Sequence, residues 1–284
     1  MNSEQQNQSL RQAVKDVMQQ TSIKDEVSRF EGFVSGGKMI RGRLVLEIGA
    51  ANGVSQEILC KLGAAIELLH AGSLLHDDII DGGTQRRGDP ALWVSEGTKS
   101  AVLVGDLLLS IALSLVLEAG PQRMPILIRA LRQMCDAEAE QEFAIAGSRD
   151  SWDDCIRIAR HKTGVLFGLA AACAAGSDEE LAEALEKAGG DLGTAYQLAD
   201  DLLDISPDGD HSGKSLGTDA ATGKLTAAIF DDDDGIDPLS EIEALLESAA
   251  QRLQPWPEIQ HCWQNYVENI IRPILHKFTN HAKA

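Results

Sequence analysis

The chain has 284 residues, 44% hydrophobic and 24% charged, which is enough apolar material for a sizeable core and argues against a disordered chain. Aromatic residues are only 4%, a balance that favours helices over a sandwich or barrel. Lys and Arg number 25 against 44 Asp and Glu, a formal charge of −19 that argues against nucleic acid as a partner and obliges any anionic substrate to bring metal ions or find a local basic cluster.

The polar stretch Met1 to Gln20 lacks an apolar signal region. Helical spacing predicts a first helix over 5–33, ended by Gly36-Gly37. Further helices are expected at 39–51 and 56–81, stopped by Asn52-Gly53 and Gly82-Gly83. Then follow 97–119, 122–147, 151–175, 178–205, 219–230, 238–253 and 257–280. The stretch Ala101 to Leu117 is the one that suggests a membrane. It contains Asp106, Ser110 and Ser114 and is short for a span, so it reads as a buried helix of a soluble protein. Ser206 to Gly217 and the acidic run Asp231 to Asp234 read as loops. The five cysteines (Cys60, Cys135, Cys155, Cys173, Cys262) are odd in number and scattered, as in reduced thiols of a cytoplasmic protein. No repeat and no linker divides the chain, so one all-α domain over 1–284 is expected.

The pattern Asp-Asp-x-x-Asp occurs three times in a chain with 24 aspartates, so context must decide what each match means. Asp233-Asp234-Asp237 encloses Gly235 and precedes Pro238, and it reads as a solvated loop. Asp77-Asp78-Asp81 and Asp200-Asp201-Asp204 instead sit in apolar helices, LLHDDIID and YQLADDLLD. Positions i and i+4 lie one above the other, so Asp77 with Asp81, and Asp200 with Asp204, each turn two carboxylates to one side. Like charges at that spacing destabilise a helix and invite a counterion, although a bare acidic surface stripe is the alternative. Magnesium suits the role, because it binds one or two carboxylates together with waters and substrate phosphates. His70, Ser73, Asp77 and Asp81 continue one polar line through Ile66, Leu68, Leu69, Leu74 and Leu75, as a cavity wall would. Basic residues gather nearby in sequence: Lys38 and Arg41 after Gly36-Gly37, Arg86 and Arg87, His161-Lys162, and Lys214 and Lys224. Each alone is ordinary surface chemistry; together with two carboxylate pairs they could hold a diphosphate through bridging magnesium ions.

The segments GGKMIR (36–41), HAGSLLHDDIIDGGTQRRG (70–88), VGDLLL (104–109), HKTG (161–164), YQLADDLLD (196–204) and GKSLGTDAATGKLT (213–226) resemble, in order and spacing, the trans-isoprenyl diphosphate synthases of the polyprenyl synthetase family. The resemblance implies a bundle of about ten or more helices around a central cavity, generally a homodimer, joining isopentenyl diphosphate head to tail to an allylic diphosphate. It implies that Asp77, Asp81, Asp200 and Asp204 hold magnesium, three ions with the allylic diphosphate bound. Arg86, Lys162, Lys214 and Lys224 would add charge to the same leaving group. Gln197 and Thr163 would lie near the allylic carbon, and Lys38, Arg41, His70 and Arg87 would bind isopentenyl diphosphate. No stable membrane insertion is expected.

Two departures stand out. Gly42 follows Arg41 where the family usually has proline, and Gly223-Lys224-Leu225-Thr226-Ala227-Ala228 replaces the usual Gly-Lys-Pro-Thr-Leu-Pro. The small pair Gly72 and Ser73, five and four residues before Asp77, stands where short-chain members commonly carry an aromatic floor. An open tunnel and a product of geranylgeranyl length or longer are therefore expected. The alternatives are that Gly72 is small only for helix packing, with Leu69 or a residue of the 107–114 segment as the floor, and that the chain is a farnesyl diphosphate synthase. A terpene cyclase and a noncatalytic regulatory subunit are the rivals of other classes.

Overall fold

A computed structural model describes residues 3–25, 32–34, 36–143, 151–203, 226–227, 230 and 236–281. They are helical apart from turns and one two-residue β-ladder, in agreement with the all-α expectation. The chain divides into two compact units. Residues 1–124, 173–177 and 213–215 form the first, and 125–172, 178–212 and 216–284 the second.

In the first unit, α1 (Ser3–Met18) docks through Leu10, Val14 and Met18, a stripe at i, i+4 and i+8 that is almost fully buried. It ends well before the expected 33, and the Thr21 hydroxyl donates to the Met18 carbonyl at 2.7 Å in the turn that follows. Next come α2 (Ile40–Ala51) and α3 (Gln56–Ile80). Residues 62–69 of α3 are buried on every side, which makes it the central helix of this unit. Past α3, the expected loop contains a ladder of β1 (Gln85–Arg86) with β2 (Asp89–Pro90), followed by the single turn α4 (Leu92–Ser95). Helix α5 (Thr98–Ala119) lies along α3. It was expected to be buried, but only one face is: Ala101, Val104, Leu108, Ala112 and Val116 turn inward, while Val102, Leu103 and Leu117 are exposed. Helices α3 and α5 are both long and apolar enough to cross a membrane by length and composition.

The second unit is built around α9 (Glu179–Leu203). Its other helices are α6 (Met124–Glu142), α7 (Trp152–Ala159), α8 (Val165–Cys173), α10 (Pro238–Gln251), α11 (Pro257–Tyr266) and α12 (Arg272–His281). The expected helix over 151–175 is interrupted by a π-turn, Arg160–Gly164, and that over 257–280 by a second, Val267–Ile271. The first π-turn lies against α9 where neither backbone carries a side chain. A Cβ on Gly164 would sit 2.8 Å from the Gly190 carbonyl, and one on Gly193 would sit 2.7 Å from the Gly164 Cα. Asp237, last of the third aspartate match, caps α10 by accepting from the Leu239 N–H at 3.0 Å. That is a structural duty. Asp233 and Asp234, the loops 206–217 and 231–234, and most of the helix expected at 219–230 lie outside the described residues.

Candidate active site

The first aspartate motif closes the C-terminal end of α3, with Asp81 as the cap residue. Unpaired carbonyls give that end partial negative charge, so carboxylates there are electrostatically unfavourable until a cation arrives. The protein supplies one itself. Asp78 is 2% exposed and accepts from Arg86, whose Nε lies 2.9 Å from both carboxylate oxygens and whose Nη2 also donates. Arg86, on β1, is thereby held beside the motif. Asp77 and Asp81 are half-buried.

On the same unit, cations surround the Gly36-Gly37 turn. A Cβ on either glycine would lie 2.7 Å from the Arg87 guanidinium, so that group rests directly on the turn's backbone. Arg11, from α1, donates to the Gly37 carbonyl at 2.8 Å. Among the described residues, two non-glycine residues take left-handed backbone, Met39 (φ 47°) and Arg87 (φ 56°). Both belong to this cluster, and such strain persists only where its surroundings enforce it. Arg41 is buried, Lys38 exposed and His70 half-buried. Their counter-charge is Glu67, 6% exposed, which accepts the Gly42 N–H at 2.7 Å and lies in the field of Arg41, Arg87 and Arg11. Burial raises its carboxyl above the usual range, and the Gly42 hydrogen bond and the arginines pull it partway back. Gly42 thus supplies an N–H that a proline could not. It also leaves room for Leu10, which would lie 2.4 Å from a Cβ there.

The second unit gathers the other sequence-predicted groups. The HKTG motif is the π-turn itself, together with Arg160. Lys162 pairs with Glu138 of α6 at 2.9 Å and donates to Gln141 at 3.2 Å. Thr163, nearly buried, donates to the Gln197 amide oxygen at 2.5 Å. The Gln197 amide nitrogen donates to Asp201 at 2.7 Å, and the second oxygen of Asp201 accepts the Ala227 N–H at 3.1 Å. These bonds define the amide's orientation chemically: its oxygen faces a hydroxyl donor and its nitrogen a carboxylate. Asp200 is half-buried on α9. Asp204, Lys214 and Lys224 lie outside the described residues.

Among the described residues no three His, Cys, Asp or Glu side chains form a ready-made metal cage. Asp77 and Asp81 at the C-terminal end of α3, and Asp200 on α9, are hard oxygen donors, and they fit magnesium, which completes its shell with water and substrate oxygens.

Gly72 is buried at the crossing of α3 and α5, where a Cβ would meet the Gly105 carbonyl at 3.1 Å and Leu109 Cγ at 3.3 Å. Close helix packing therefore accounts for its missing side chain, and a tyrosine there would force α5 away. Ser73 is half-buried and donates to the His70 carbonyl at 3.0 Å.

The reading of the sequence passed over Arg11, Glu67, Asp78, Glu138, Gln141 and Asp201. Glu67 had a signal, a charge inside the apolar run Ala64 to Leu69. The two aspartates had theirs inside the motifs. Nothing in the sequence marked Arg11.

The polyprenyl synthetase family profile matches residues 28–251. The chain is 35% identical over 171 residues to nonaprenyl diphosphate synthase of Mycobacterium tuberculosis, covering 59% of this chain and 51% of that protein. It is 32% identical over 236 residues to a short chain isoprenyl diphosphate synthase of Methanothermobacter thermautotrophicus, covering 80% and 71%. The match thus spans about half the first relative's length. Among solved structures, polyprenyl synthase from Caulobacter crescentus, complexed with calcium and isoprenyl diphosphate, superposes with a TM-score of 0.73 at 26% identity, covering 99% of this chain and 88% of that one. The matched residues contain all six sequence motifs, and the chain belongs to the polyprenyl synthetase family.

Proposed function

We propose that the chain is a trans-prenyl diphosphate synthase that condenses isopentenyl diphosphate head to tail with an allylic diphosphate. The observation that carries this reading is the pair of helices, α3 and α9, that each carry aspartates of the same motif. Each lies in a unit that also supplies cations or polar groups for a diphosphate. In this reading Asp77, Asp81, Asp200 and Asp204 hold magnesium, which when bound neutralises the departing diphosphate. Arg86, Lys162, Lys214 and Lys224 add charge to the same group. Thr163 and Gln197 line the allylic carbon as it becomes cationic. The allylic C–O bond breaks and releases diphosphate; Lys38, Arg41, His70 and Arg87 orient isopentenyl diphosphate, whose double bond attacks the allylic cation, and the proton then lost passes to the departed diphosphate. The family match runs through both units, which supports a single synthase domain over 1–284. A soluble cytoplasmic homodimer fits the reading, and the exposed Leu103 and Leu117 of α5 support self-association.

Product of geranylgeranyl length or longer is the preferred outcome, supported by the small side chain of Ser73, since packing against α5 already accounts for Gly72. Leu109, seated against Gly72, supports the alternative of an earlier stop at farnesyl. Purified protein incubated with isopentenyl diphosphate, allylic primers of increasing length and magnesium, followed by mass spectrometry of the dephosphorylated products, tests all of this. Elongated linear products support the reading, cyclic products make it a cyclase, and no product makes it a regulatory subunit. Ser73→Phe, a gentler probe than any change at Gly72, should shorten the longest product. An unchanged profile would move the floor to Leu109 or deeper.

A further inference from the structure

We propose that Asp191 and Arg160 are positioning residues that lock the π-turn carrying Lys162 and Thr163. The inference rests on the roles proposed above for those two side chains. Asp191 is 1% exposed in the middle of α9. One of its oxygens accepts from Arg160 Nη2 at 2.9 Å; the other accepts from Arg252 Nε at 2.8 Å and from the Ser248 hydroxyl at 3.1 Å. A single buried carboxylate therefore ties α9 to the π-turn on one side and to α10 and the residue after it on the other.

Stability alone does not call for this arrangement. A buried ion pair is about as stable as the apolar contacts that could replace it, whereas its geometry is directional. Direction matters at this place. A π-turn carries one residue more than an α-turn, and such bulges are rare and gather at functional sites. If the extra residue moved along the helix, the side chains it passed would rotate by about 100° around the axis, given about 3.6 residues per turn. Lys162 and Thr163 would then swing away from Glu138, Gln141 and Gln197. The turn is gripped at both ends: at Arg160 by Asp191, and at Thr163 by Gln197. Between them the backbone of Gly164 meets α9 so closely that neither Gly164 nor Gly193 has room for a Cβ. The Thr163 grip touches a proposed substrate-facing group, while the Arg160 grip stands outside it and acts only through position.

Arg160 and Arg252 form an internal control, because they share one carboxylate at nearly equal distance and their side chains are 40% and 39% exposed. Only Arg160 belongs to the π-turn. Arg160→Ala and Arg252→Ala should lower the thermal midpoint by similar amounts. Arg160→Ala should also cut kcat about 100-fold, the order expected when catalytic groups shift by about 1 Å, with the KM for isopentenyl diphosphate within about twofold of wild type. Arg252→Ala should keep kcat within about threefold, and Arg160→Lys, which retains a donor for Asp191, should recover part of the loss. Parallel losses of kcat in the two alanine variants, or an Arg160→Ala protein with wild-type kcat, would overturn the lock while leaving the proposed function standing. A wild-type protein that forms no prenyl product would overturn the function, and the positioning role with it.

Discussion

Two copies of one five-residue pattern begin on α3 and on α9, yet their middle carboxylates are met differently. At α3 the middle aspartate, Asp78, meets a guanidinium, so the motif carries its own cation. At α9 the middle aspartate, Asp201, meets an amide and a backbone N–H, which satisfy its lone pairs without supplying charge. The first arrangement holds Arg86 beside the motif, where the proposed function needs a cation for the diphosphate. The second orients Gln197 and, through it, Thr163. Identical motifs thus serve different neighbours, and in both the middle carboxylate is engaged by the protein itself.

The outer carboxylates should not show this asymmetry. Asp77→Ala and Asp200→Ala should each lower turnover by about 10³-fold or more, because they remove groups that hold the ions neutralising the leaving group, while circular dichroism stays native. Asp233→Ala, in the Gly- and Pro-flanked run, should be nearly silent. Equal damage at 77 and 233 would erase the distinction between helix and loop motifs.

The two groups of cations should separate next by substrate. Lys162→Ala should lower kcat by about 10²-fold and weaken allylic binding, since its charge answers one that develops on ionisation. Lys38→Ala or Arg87→Ala should instead raise the KM for isopentenyl diphosphate about 10-fold, the size of one lost charge-assisted hydrogen bond. Varying each substrate in turn measures this; identical losses for both substrates in all three variants would merge the two assignments.

Exchanging the middle aspartates for asparagine sharpens the contrast itself. Asp78→Asn leaves Arg86 beside an amide and should cost about 2–3 kcal/mol, which for a chain of this size lowers the thermal midpoint by about 5 °C. Asp201→Asn removes no ion pair and should cost less stability. It should lower kcat by about 10-fold, because an asparagine can turn its own NH₂ toward Gln197 and upset the amide's orientation. Calorimetry and kinetics on the pair decide it, and matching profiles would mean that the two motifs work alike.

The smallest effect concerns Glu67. Its carboxyl is raised in the folded state above the ordinary 4.5, chiefly by burial, so the folded protein holds this proton more tightly than the unfolded chain. Stability must then fall as pH rises from about 4.5 through the folded value, after which the loss is complete. Glu67→Gln can keep an acceptor for the Gly42 N–H and lacks this loss. Its thermal midpoint relative to wild type should therefore increase between pH 4.5 and pH 8; a pH-independent difference would show that Glu67 carries no such burden.

Much of this molecule is determined by sequence alone, because the relevant forces are local. Apolar spacing and glycine stops foretell most helices to within a few residues, and six short motifs identify the family. Two aspartate matches are separable from the third by their apolar company, and Asp237 indeed proves to be a helix cap. What tertiary structure decided depends on groups far apart in the chain. The π-turn at 160–164 depends on glycines of α9 some 30 residues later. The smallness of Gly72, which sequence associates with a tunnel, answers to the carbonyl of Gly105 across a helix crossing. Asp78, Asp201 and Asp191 are indistinguishable as letters. A guanidinium, an amide or two arginines meet them only once the helices have packed, because burial, not composition, makes a carboxylate require a partner.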